Sequence, residues 1–141
     1  MLDDNNLTGG IPTEFGGIND LMKINIGGNG VNGTFPTEVG RLSNLKDLDF
    51  SRNNLNSSIP NELFGLQLER VRLNSNQIYG SISSNFGSMA SLKVLRLGKK
   101  SPFLTFQIIS TQEKLIKTFL KLLKSRGERY IRINPLSTRK C

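Results

Sequence analysis

Four asparagines, Asn5, Asn29, Asn53 and Asn76, stand 24, 24 and 23 residues apart. Each sits in the same local pattern, and that spacing constrains the chain more than any other feature. The clearest copy is LKDLDFSRNNLNSSIP, residues 45–60. Its apolar residues Leu45, Leu48, Phe50 and Leu55 fall at intervals of three, two and five, which fits neither a helix nor a long strand. A short strand does fit, with Leu48 and Phe50 inward and Asp47, Asp49 and Ser51 outward. Asn53 then stands where the chain leaves the strand, where a buried amide can satisfy backbone groups of neighbouring turns. Upstream, Leu21, Ile24, Ile26, Asn29 and Val31 repeat the frame, and downstream Leu68, Val71, Leu73, Asn76 and Ile78 do so again. Leu2, Asn5 and Leu7 form the back part of an earlier unit. Six positions after each frame Asn comes an apolar residue, at Ile11, Phe35, Ile59 and Ile82. Self-similarity at this period implies a solenoid, in which each unit buries its apolar face only against its neighbours.

These residues resemble the leucine-rich repeat, LxxLxLxxNxL. The continuations LTGGIPTEFG and VNGTFPTEVG look like the LxGxIPxxLG of the plant-type subclass. The resemblance covers residues 1 to about 98, some four repeats incomplete at both ends. It implies an α/β solenoid: an arc with short parallel β-strands on the concave face and 3₁₀ or irregular segments on the convex side. It also implies a module that binds proteins or peptides, extracellular or at the cell surface. Two departures stand out: Ser83 replaces the repeat's Pro, and the pattern stops after Gly98.

At 141 residues the chain is one domain's worth, and 36% hydrophobic content suits a thin solenoid better than a compact globule. It has no His and one Cys, Cys141. That excludes a Ser-His-Asp triad, a Cys-His pair and a Cys/His zinc site, so neither catalysis nor a cofactor is expected. Extracellular relatives of this kind begin with a signal peptide and a Cys-bearing cap. Residues 1–20 show neither, and no apolar run approaches the ~18 residues a membrane span needs. A fragment or truncated gene product is therefore expected. Gly28-Asn29-Gly30-Val31-Asn32-Gly33 matches GxGxxG, but Pro36 denies it the helix a dinucleotide site requires. The repeat accounts for it.

The outward strand positions form columns across the coils. One runs Lys23, Asp47, Arg70, Val94 and the next Asn25, Asp49, Arg72, Arg96. A third runs Asp3, Gly27, Ser51, Asn74, Gly98. Parallel neighbours lie ~4.8 Å apart, so Asp47 should adjoin Arg70 and Asp49 should adjoin Arg72 as cross-strand ion pairs. Arg72 beside Arg96 is a like-charge step that an anionic partner would relieve. Asp47, Asp49, Arg70, Arg72 and Arg96 are thus the candidate partner-binding residues, and Asn5, Asn29, Asn53 and Asn76 a structural ladder. Three N-x-S/T sequons, at Asn6, Asn32 and Asn56, are candidate glycan sites just past the strands, built from residues the turns use anyway.

At residue 99 the composition changes. Residues 1–98 hold eight Lys and Arg against nine Asp and Glu, and residues 99–141 hold eleven against two, so the net charge of +8 belongs to the tail. Within it, a helix over about 111–125 is predicted, opened by Ser110 with Glu113 and stopped by Gly127. Lys114, Lys117, Lys121 and Lys124 line one face, and Leu115, Ile116, Phe119, Leu120, Leu122 and Leu123 the other. The helix caps the last coil, meets an anionic membrane surface, or is sequence foreign to the repeats. No motif for specific nucleic-acid recognition accompanies the charge. The reading is a non-catalytic recognition module from a receptor-like or secreted protein. The alternative is an ectodomain fragment of a receptor kinase whose transmembrane and kinase parts are missing.

Overall fold

The computed structural model describes residues 2–81, Met89, residues 91–97 and the pair Leu104–Thr105. The expectations for Ile82, Ser83, Gly98 and the helix at 111–125 lie outside the described residues. The strands are β1 (Thr8–Gly9), β2 (Lys23–Asn25), β3 (Gly30–Gly33), β4 (Asp47–Asp49), β5 (Asn54–Leu55), β6 (Arg70–Arg72), β7 (Gly80–Ser81), β8 (Val94–Arg96) and β9 (Leu104–Thr105). The main sheet is parallel, in the order β2-β4-β6-β8. Its registers pair Ile24 with Leu48, Leu48 with Val71 and Val71 with Leu95. The inward members are apolar, with Ile24, Leu48 and Val71 buried and Leu95 partly buried, while Asp47 and Asp49 on either side of Leu48 point out.

Across the coil from this sheet run three 3₁₀ turns, Thr13–Gly17, Thr37–Arg41 and Asn61–Gly65. Pro12, Pro36 and Pro60 precede them in extended conformation, φ between −65° and −71°. Proline's ring holds that φ, and its carbonyl accepts the N–H three residues on, from Phe15, Val39 and Leu63. The turns stack closely. A Cβ on Gly16 would lie 2.5 Å from the Glu38 carbonyl oxygen, and one on Gly40 only 2.4 Å from Glu62 Cβ. Between sheet and turns, Phe35 meets Phe50 edge-on with ring centroids 5.2 Å apart.

The frame asparagines join successive coils. Asn53 Oδ1 accepts from Val31 N at 3.0 Å, and its Nδ2 donates to Ile26 O, Phe50 O and Ser51 O at 2.9, 3.1 and 3.2 Å. Asn76 accepts from Leu55 N and donates to Phe50 O and Leu73 O. Asn29 accepts from Leu7 N and donates to Leu2 O, Ile26 O and Gly27 O. Asn53 and Asn76 are buried, and Asn29 is half-buried. Asn5 departs from the ladder: it is exposed and its amide reaches only the Asp3 carbonyl, at 2.8 Å. Among the described residues no strand precedes its coil for it to bond.

Two features were not read from the sequence. The residue before each frame Asn is left-handed, at Asp4, Gly28, Arg52 and Ser75, with φ of 51°, 69°, 55° and 59°. The second is a flanking ladder of short parallel strands, β1-β3-β5 and β7-β9. In that ladder Gly80 pairs with Leu104 and Ser81 with Thr105. Main-chain pairing at the repeat's own spacing thus passes the boundary read at residue 98, since it asks nothing of the side chain where a fifth frame Asn would stand.

Two predictions follow from these contacts. Replacing Asn53 by Leu leaves the buried Val31 N–H unpaired, at ~1–3 kcal/mol, and takes one of two donors from each of the Ile26, Phe50 and Ser51 carbonyls, whereas Asn5→Leu stays within ~0.5 kcal/mol. Likewise Gly40→Ala forces the adjacent turn aside, at ~1–3 kcal/mol, while Gly65→Ala, with nothing within 4 Å, is neutral. Urea denaturation of the four variants checks both, and equal midpoints within either pair contradict the assignment.

Candidate functional site

The outer face of the main sheet gathers the charged residues of the strands. Lys23, Asp47, Arg70 and Val94 fall in one column and Asn25, Asp49, Arg72 and Arg96 in the next, paired residue by residue. Arg70 Nε donates to Asp47 Oδ1, and Arg72 Nη1 to Asp49 Oδ2 at 3.1 Å. Asp49 also accepts from Ser51 N and Ser51 Oγ, at 3.0 and 2.6 Å, which fixes its rotamer. At the edge of the sheet Lys93 Nζ donates to Glu69 at 2.7 Å. That hydrogen bond, and then the lysine's charge, hold the Glu69 carboxyl below its ordinary pKa. The hydrogen bond to Asp47, followed by the charge of Asp47, raises that of Arg70.

A further pair joins coils two apart. Arg52 Nη2 meets Asp4 Oδ1 at 2.7 Å, across 48 residues of chain. Both side chains are more than half exposed. The bridge passes over Gly28, where a Cβ would lie 2.0 Å from Asp4 Oδ1. The signal for it was present, as Asp4, Gly28 and Arg52 share one frame position. What sequence reasoning lacked was the left-handed backbone that turns both side chains over the glycine.

Arg96 differs from the other two arginines. It is exposed, it lies beside Arg72 in the register, and it makes no ion pair among the described residues. Nearby in the third column, Asn74 Oδ1 is buried with no hydrogen-bond partner among the described residues. The surface therefore runs from balanced Asp/Arg pairs at β4 and β6 to uncompensated cation at β8. Asn32 lies in the flanking ladder instead, with Asn6 just before β1 and Asn56 just after β5, all three exposed.

The leucine rich repeat family matches over residues 19–78. Solved structures agree. The plant peptide hormone receptor RGFR1, in complex with RGF2, is 33% identical with a TM-score of 0.67, over 73% of this chain and 16% of that one. The Arabidopsis receptor kinase HAESA, in complex with the peptide hormone IDA and the co-receptor SERK1, is 31% identical with a TM-score of 0.67, over 74% and 17%. The BIR2 ectodomain from Arabidopsis thaliana is 29% identical with a TM-score of 0.68, over 76% and 56%. The chain thus spans about a sixth of the first two proteins. No curated protein sequence matches it.

The ion pairs yield two expectations. A double-mutant cycle on Asp49 and Arg72, whose side chains are 15% and 30% exposed, gives a coupling of ~0.2–1 kcal/mol that shrinks in high salt. No coupling at low salt would make the pair incidental. The lowered Glu69 pKa adds stability at pH above the ordinary carboxylate range, lost as pH falls through the folded-state value. Glu69→Gln should therefore lower the melting temperature slightly at neutral pH and converge on the parent at low pH, which flattens the acid limb of the profile.

Proposed function

Because the chain carries leucine-rich repeats like those of plant receptor-kinase ectodomains, we propose that it is a non-catalytic recognition module. It binds a protein or peptide through the outer face of the main sheet. The observation that carries this reading is the cationic step on that face. Arg72 is compensated by Asp49, whereas Arg96 beside it makes no ion pair among the described residues. The partner segment is accordingly acidic, and lies along the strands' outer positions with its charge over Arg96 and its ends toward the Asp47/Arg70 column. Two of the similar structures are receptors in complex with peptide hormones, which supports a short peptide as the partner. The parent is then extracellular or held at the cell surface. Among the described residues no helix is long and apolar enough to cross a membrane.

The repeats occupy residues 1–98 with the flanking rung at β9 beyond them, and the rest is the basic tail. We place its amphipathic helix, about 111–125, over the end of the solenoid. An apolar cleft lined by Leu63, Phe64, Met89, Leu95 and Leu97, among others, lies in the last coils. Leu115, Phe119 and Leu123 have the helical spacing to cover apolar surface there, with the four lysines toward water.

Two experiments test these readings. Arg96→Glu should weaken binding to acidic peptides about tenfold, or ~1.4 kcal/mol, and flatten its salt dependence in calorimetry. Unchanged affinity and slope would put the partner elsewhere. Truncation after Thr105, which keeps β9, should speed amide exchange at Val94–Arg96 and promote self-association. A monomeric truncated chain with that strand equally protected would remove the cap.

A further inference from the structure

The three sequons are the one motif that the recognition surface does not absorb, and the fold separates them from the frame asparagines. Asn29, Asn53 and Asn76 turn their amides into the solenoid, where each donates to carbonyls of its own and the preceding coil. Asn6, Asn32 and Asn56 are exposed, and so are the hydroxyl residues two positions on, Thr8, Thr34 and Ser58. Among the described residues no hydrogen bond engages the side-chain amides of the three. All three lie in the flanking ladder or within two residues of it. Thr8 begins β1, Asn32 belongs to β3 and Asn56 directly follows β5. Asn56 N donates to Gly33 O at 3.0 Å, which holds the second and third sequons on adjacent rungs.

An N-glycan needs an Asn in the N-x-S/T setting, a free amide, and room for a bulky hydrophilic group. At each of these positions the fold supplies all three. A sugar there displaces no buried side chain and breaks no interaction of the repeat. The one flank of the coil that carries the sequons is also separate from the main sheet, so sugars on it leave the Arg72–Arg96 step open. The sequence allows the same residues to be mere turn formers, and it is their common outward placement on one ladder that decides.

We propose that Asn6, Asn32 and Asn56 are N-glycosylation sites and that the flanking ladder is the sugar-bearing side of the molecule. In the transfer, Nδ2 of each Asn attacks the anomeric carbon of a lipid-pyrophosphate-linked oligosaccharide. The new bond is Nδ2–C1, the C1–O bond to pyrophosphate breaks, the lipid pyrophosphate departs, and the amide gives up one proton to base. No oxidant or reductant is involved. The setting rests on the extracellular reading above, so the test imposes secretion and leaves partner binding out of the readout.

The full chain is placed behind a secretion signal and translated in the presence of microsomes, and also expressed in cultured mammalian cells. The expected product carries three glycans, removed one at a time by Asn6→Gln, Asn32→Gln and Asn56→Gln. Thr34→Ala should remove the glycan of Asn32 alone, although it leaves that Asn in place. Enzymatic release converts each modified Asn to Asp, and peptide mapping then reads occupancy site by site. The microsome assay reports modification even for a variant that cells fail to secrete. A translocated chain without sugar at Asn32 and Asn56 overturns the proposal, whatever the peptide-binding experiments return.

Discussion

The fold depends on one side-chain amide used the same way in three successive coils, at Asn29, Asn53 and Asn76. A frame Asn presents an acceptor and two donor hydrogens in one plane, and the solenoid leaves carbonyls and an N–H pointing at it from two coils at once. Asn53 joins Val31 N–H and the Ile26 carbonyl of one coil to the Phe50 and Ser51 carbonyls of its own. Buried main-chain groups at the end of a strand of three residues have no ladder left to satisfy them, and the amide supplies what the strand cannot. Leu would fill the space, leave Val31 N–H unpaired and remove one of the two donors that each of the three carbonyls accepts. The left-handed residue before each buried or half-buried frame Asn, at Gly28, Arg52 and Ser75, is the backbone's part of the same device, since it turns the chain so that the amide points inward.

Once successive coils are locked at that point, their other sides must stack at the same spacing. On the 3₁₀ side this requires small residues, and Gly16 and Gly40 sit against Glu38 and Glu62 with no room for a Cβ. On the sheet side it places Asp47 by Arg70 and Asp49 by Arg72. These exposed pairs are a consequence of the stacking more than its cause. Their outward positions are consequently free to vary, and Arg96 makes no ion pair among the described residues where Arg70 and Arg72 each make one.

Much of this was legible in the sequence, because the frame is a matter of side chains at fixed intervals. Leu48, Val71 and the frame Asn could be placed from spacing alone, and the columns followed from the parallel register. What escaped was whatever the main chain does without a residue-type signal. Asp4, Arg52 and Ser75 adopt positive φ without being glycine, so nothing marked them. The flanking ladders β1-β3-β5 and β7-β9 pair through peptide groups, and the rung at Leu104–Thr105 comes after the side-chain pattern has ended. Asn5 escaped for the opposite reason. It has the right spacing, but with no described strand ahead of its coil the pattern promised bonds that the structure does not form.

Site-resolved amide hydrogen exchange tests the central claim most directly. The N–H groups of Leu7, Val31 and Leu55 each donate to the side chain of a frame Asn in the next coil. Val31 and Leu55 are buried while Leu7 is exposed. If the amide ladder holds the coils together, Val31 and Leu55 exchange only with global unfolding, as slowly as Leu48 in the main sheet, and Leu7 exchanges much faster. Rapid exchange at Val31 and Leu55 while Leu48 stays protected would show that the sheet stands without the ladder, and would contradict the account.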